Sequence, residues 1–275
     1  MAGVWRCVVE TQRSLMSNTI SIGKSSDAEF CAYGDEAQFQ ESLVFAFAVV
    51  RRSLRQRAID VLNRIRSEFW IPWDTPLHCR ILFNEHARRK HGMGYLSQTR
   101  VHALLDRLVQ ETRNVPVVCR FATTVLPKRN PLVNSTAPFF VLPNEPKGVL
   151  GLLMQCCFAN KQPNAEQCEI FVSADPTKIR FMGKNKYQAH RGYRGFSDIG
   201  APAGMVFEIE PHIVSSSGWK DEPLVQLADV FCYICSHADG SLVKNDMFTQ
   251  LLKQMHFSRG QMMLQENAIP QRIES

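Results

Sequence analysis

No apolar run in the chain approaches the roughly eighteen residues that a membrane-spanning helix needs. The N-terminus lacks a positively charged start leading into an apolar core and a small-residue cleavage site. These two absences set the expectation of a cytoplasmic protein with no membrane partner. In that setting the nine cysteines are expected to be reduced thiols, and the acceptor triplet Asn134, Ser135, Thr136 would go unglycosylated. Internal repeats and low-complexity blocks are also missing, which argues against a solenoid or a disordered chain. Charge of one sign is not dominant either. A net charge of +6 and a pI near 8.9 permit a polyanionic partner without demanding one. A phosphate-binding loop is excluded, because Gly23, Lys24 and Ser25 would need a glycine five residues earlier and the chain has Asn18 there.

What is present suits one large domain. The 275 residues are 45% hydrophobic, ample material for a core. Residues 1–28 show no clear period and read as a loosely ordered extension, residues 29–258 as a single α/β domain, and residues 259–275 as a polar tail. Two strands flank the stretch YGDEAQ, the second being the apolar run LVFAFAVV. The following RRSLRQRAIDVLNRIRSEFW repeats Leu54, Ala58, Val61, Leu62, Ile65 and Phe69 at helical spacing. Its six arginines read as a solvated face. Ser97 is a suitable cap for a helix with Val101, Leu104, Leu105 and Leu108 on one side. VPVVCRFATT reads as a strand, KGVLGLLMQCCFAN as an apolar helix, and CEIFVSAD as a buried strand. That order predicts a parallel crossover. MVFEIEPHIV reads as one strand, a helix follows Pro223, and another lies near 244–256.

Three acids fall at comparable places. Asp35 would end the first strand, Asp175 a later strand, and Asp229 sits in a helix where aspartate is a poor helix former. Brought to one end of a sheet, such carboxylates repel one another unless a cation joins them. Mg²⁺ or Mn²⁺, hard ions that take oxygen ligands, would do so.

Asp35 and Glu36 in YGDEAQ, with Gln226 and Asp229 in QLAD, resemble the paired DE and QxxD motifs of the bacterial and phage family known as domain of unknown function 3800. The resemblance spans about residues 29–240 by order of elements. Here Ala37 and Gln38 replace the Ser and Gly that commonly follow the acidic pair. The resemblance implies an RNase H-like mixed sheet, antiparallel strands first and parallel strands after, flanked by helices. It also implies a metal-dependent nuclease, a hydrolase cutting phosphodiesters in DNA or RNA. Asp35 and Asp229 would be metal ligands, Glu36 or Asp175 would complete the set, with Asp175 placed by the order of elements alone, and Gln226 would orient a ligand or a water.

A nucleic-acid partner has its own candidate contacts. In GKNKYQAHRGYRGF, the residues Lys184, Lys186, Tyr187, Arg191, Tyr193 and Arg194 mix phosphate-binding and base-stacking groups without an acid. A plain exposed loop explains them equally well. Glu208 and Glu210 are reserve acids on one strand face. The alternative to a nuclease is a non-catalytic nucleic-acid-binding or interaction module of the same fold. A third reading takes Cys232, Cys235 and His237 as part of a zinc set, although a helical Cys-x-x-Cys without a second pair is more often packing. His78 could lie near the acids or be a partly buried histidine with its own partner.

Overall fold

The apolar run forms a central strand because its β-branched and aromatic residues fit a surface covered on both sides. In the computed structural model, which describes residues 19–39, 42–125, 153–154, 157–158, 162–173, 206–209, 211–215, 217–239, 246–255 and 257–261, this strand is β3, Ser42–Arg51. It pairs antiparallel with β2, Phe30–Phe39, and with β4, Val118–Val125. Parallel strands extend both sides: β5 (Cys168–Ser173) beside β2, β7 (His212–Val214) beside β5, and β8 (Phe257–Gln261) beside β4. The six-stranded order is therefore β7-β5-β2-β3-β4-β8. A separate parallel pair joins β1, Thr19–Ile22, to β6, Val206–Ile209.

Helices cover the sheet. In chain order they are α1 (Arg55–Glu68), α2 (Cys79–Leu82), α3 (Glu85–Lys90), α4 (Gln98–Asn114), α5 (Val225–Asp239) and α6 (Asp246–Gln254). One face of β3 presents Val44, Ala46, Ala48 and Val50 to a core shared with α1, α4 and α5. The opposite face presents Leu43, Phe45, Phe47 and Val49 to Leu153, Met154, Cys157 and Phe158. The expected helical face of α1 is buried as the spacing requires, at Ala58, Val61, Leu62 and Ile65. Ser97 caps α4, its hydroxyl accepting the Arg100 N–H at 3.3 Å. No helix among the described residues is long and apolar enough to cross a membrane.

Four expectations change. Asp35 lies within β2 rather than at its end, because β3 keeps pairing as far as Phe39↔Ser42 after the parallel partner stops at Gly34↔Val172. The stretch MVFEIEPHIV makes two strands in different sheets, divided around Pro211, which has no N–H for a ladder. Strands also occupy Thr19–Ile22, within the expected extension, and Phe257–Gln261, at the start of the expected tail. The six arginines divide, with Arg51, Arg57 and Arg64 exposed as expected and the other three tied to the protein. Arg52 pairs with Glu169 at 2.7 Å, Arg55 with Glu222 at 2.7 Å, and Arg66 is buried.

Candidate functional site

Strand pleating decides where the paired acids go. Asp35 lies opposite Ala46, a member of the helix-covered core, while Glu36 lies opposite Phe45 in the other core. Directly opposed residues share a face, so the two adjacent carboxylates leave the sheet on opposite sides. Only Asp35 faces α5. The residue before them, Gly34, is on the Phe45 side. A Cβ there would sit 2.5 Å from the Phe47 ring and 2.9 Å from the Phe45 ring, so the motif needs a glycine for aromatic packing.

Helix α5 crosses β2 and β3 so closely that the Cys232 thiol lies 3.3 Å from the Asp35 carbonyl and 3.4 Å from that of Val44. Gln226 and Asp229, three residues apart, share one face of it. Both reach the segment entering α2. The Gln226 Oε1 accepts the Leu77 N–H at 2.6 Å and the Arg66 Nη1 at 3.0 Å, while its Nε2 donates to the Pro223 carbonyl at 3.2 Å. Asp229 Oδ2 accepts the Cys79 N–H at 2.7 Å, and its Oδ1 lies 3.1 Å from His78 Nδ1. The QxxD pair is thus a two-rung clip holding a backbone segment on either side of His78.

Arg66 completes the clip from below. Its Nη2 donates to the carbonyls of Pro72 at 2.5 Å and Thr75 at 2.8 Å. The guanidinium carbon lies 5.4 Å from the Trp73 ring and 5.3 Å from that of Trp219. These contacts offset the desolvation that lowers the Arg66 pKa.

His78 is the titratable group that this construction holds at the surface. Its side chain is 49% exposed. Burial pulls its pKa down, but the hydrogen bond and charge of Asp229, with the charge of Asp35 added, outweigh it and hold the imidazole above its usual value. Nδ1 also lies 3.3 Å from the Arg80 N–H. One nitrogen cannot donate to Asp229 and accept from Arg80, and the raised pKa favours the protonated form facing Asp229.

The same two acids act on Cys79. Burial, followed by the charge of Asp229 and then that of Asp35, pushes its thiol well above the ordinary range. Cys232 is pushed up in the same way by burial and by Asp35. Buried, protonated thiols are poor nucleophiles, so Cys79 and Cys232 are packed rather than reactive groups. Cys235 packs against Cys119, and His237 has its Nδ1 2.9 Å from the Tyr233 carbonyl, so Cys232, Cys235 and His237 each serve packing or local contacts.

Asp229 therefore binds the segment at His78 and Cys79, Asp35 faces the same helix and its charge acts on both residues, Gln226 supports Leu77, and Glu36 goes to the far face. β5 ends at Ser173, level with Asp35, but Asp175 lies outside the described residues, as do Lys184, Lys186, Tyr187, Arg191, Tyr193, Arg194 and Glu210. His78 and Arg66 are the residues that sequence patterns undervalued. The available signal was a glutamine one turn before an aspartate in an apolar helix, which demands partners for buried polar groups.

Among the described residues no group of three His, Cys, Asp or Glu is arranged to hold a metal ion. Two carboxylates still suit Mg²⁺, which keeps several waters and binds through one or two acids plus substrate phosphate. No protein-family model matches the chain, and no curated protein or solved structure matches it.

Proposed function

We propose that the chain is a divalent-metal-dependent hydrolase of RNase H-like type that cleaves phosphodiesters in DNA or RNA at Asp35 and Asp229. The observation that carries this reading is the close approach of α5 to β2, where the Cys232 thiol, one turn beyond Asp229, lies 3.3 Å from the Asp35 carbonyl. The sheet supports it as well. Three antiparallel strands are followed by two parallel ones in the order β4-β3-β2-β5-β7, and Asp35 lies on the middle strand of those five. Asp35 and Asp229 would hold Mg²⁺ or Mn²⁺, with Asp175 as a third candidate. When bound, the ion supplies an activated water and neutralises charge on the phosphodiester. Asp229 orients His78 through Nδ1, and the half-exposed imidazole would hold or pass a proton. Gln226 keeps the segment in place. The basic and aromatic residues of 183–196 would contact the strand.

One observation favours a non-catalytic nucleic-acid-binding module instead: both oxygens of Asp229 already serve His78 and Cys79, as a purely structural acid would. Thermal melts with Mg²⁺, Mn²⁺ and EDTA, run beside cleavage assays on mixed DNA and RNA, separate the readings. The nuclease is stabilised by the ion and cuts only with it. The module shows neither effect.

A further inference from the structure

Beyond the two acids, the described residues contain a polar cleft of about 420 Å³ lined by Phe83, Glu85, Arg88, Ser97 and Gln98 among others. Its floor is a cation. Arg88 is only 5% exposed, and its Nη1 donates to the Leu82 carbonyl. Its Nε is buried with no hydrogen-bond partner. A guanidinium carries five N–H donors, and here at least the Nε–H is left without a protein partner. The cleft wall is the N-terminus of α4, a helix of 17 residues. Ser97 takes the Arg100 N–H, and the N–H groups of Gln98 and Thr99 precede the helix's own acceptors. The positive end of the helix dipole therefore adds to the Arg88 charge. Glu85 is the opposing charge in the lining, and Arg89 neutralises it one turn away.

The position of the cleft connects it to the acids. His78 caps one end of α2 and Phe83 the other, and α2 has 4 residues. Five steps at 1.5 Å per residue put the two about 7.5 Å apart, close to the axial rise of two nucleotides in a duplex strand. Phe83 also stacks on Tyr233, one turn beyond Asp229, at 4.6 Å between centroids.

We infer that this cleft binds a backbone phosphate of the substrate strand, next to the phosphodiester presented to Asp35 and Asp229. The inference rests on the proposed nuclease reading for the identity of the strand. It does not rest on catalysis.

The test measures binding of a fluorescent twelve-nucleotide oligodeoxythymidylate in EDTA, where nothing is cleaved, for the full chain, Gln98→Glu and Arg88→Met. Gln98→Glu repels phosphate while suiting a helix N-terminus, so its melting temperature should hold or rise. It should bind about tenfold more weakly. Arg88→Met should flatten the salt dependence by about one counterion, and should it fail to fold, Gln98→Glu alone decides. Unchanged binding by Gln98→Glu, or no binding by the parent chain, overturns the assignment. Inorganic phosphate binding as tightly as the oligonucleotide also overturns it, since the cleft would then serve a free anion. Cleavage by the parent together with unchanged binding by Gln98→Glu would reject the cleft and leave the proposed function standing.

Discussion

The two faces of the sheet treat adjacent acids of one strand in opposite ways. On the side of α5, Asp35 faces the helix that carries Asp229 and the buried Gln226–Arg66 clip, and its charge acts on His78. On the other side, Glu36 follows Gly34 into the territory of Phe45 and Phe47, where aromatic packing rules. A dipeptide motif read as one chemical unit is divided by the pleat. The helix-covered face carries the polar construction, and the aromatic face carries the close packing of Phe45 and Phe47 against Gly34.

The comparison breaks most visibly if the clip is removed. Gln226→Leu strips the acceptor from both the Leu77 N–H and the Arg66 guanidinium, leaving two buried donors. The expected loss is about 3 kcal/mol in urea unfolding, with the m-value unchanged. A loss below about 1 kcal/mol would mean that water or other groups replace the amide.

On the aromatic face, Gly34→Ala pushes a methyl into the rings of Phe47 and Phe45. The cost should be about 2 kcal/mol of overpacking, read from the same unfolding curves. Metal response should survive in whatever fraction folds, because the methyl points away from Asp35. A neutral substitution would show that those rings shift freely and that the glycine has another purpose.

A smaller effect follows pH and belongs to the α5 face alone. The folded His78 pKa lies above its ordinary value of about 6.5. Its stabilising contribution is therefore fully present below that unfolded value and is lost as pH rises through the raised folded one. In EDTA, the melting difference between the parent and His78→Asn should be largest near about pH 5.5 and shrink toward about pH 8.5. A difference that grows with pH would mean that the neutral ring, bonded to Arg80, is the stable form.

Much of this arrangement was legible in the sequence, for reasons that differ by element. The helical spacing of Ala58, Val61, Leu62 and Ile65, the Ser97 cap and the run LVFAFAVV each name a local structure through short-range physics. The proposed pairing of Asp35 with Asp229 comes from motif order, since nothing local links residues so far apart. The division of Asp35 from Glu36 was hidden because β2 was expected to stop at the acids, and a residue in a turn has no sheet face. His78 and Arg66 were hidden for another reason. A histidine after PL and an arginine among arginines carry no periodic signal, and only burial against Gln226 and Asp229 distinguishes them. The split of MVFEIEPHIV was foreshadowed by Pro211, whose missing N–H marks a break that hydrophobicity alone overlooks.

The most direct test of the account is a Mn²⁺ titration followed by thermal melting of the parent, Asp35→Asn, Asp229→Asn and Glu36→Gln. The carboxylates on the α5 face should be the ones that hold the ion. The parent and Glu36→Gln should therefore gain the same metal-dependent stabilisation, while Asp35→Asn and Asp229→Asn gain none. Equal shifts in all four proteins, or a shift lost only with Glu36→Gln, would contradict the claim that Asp35 and Asp229 form the metal site.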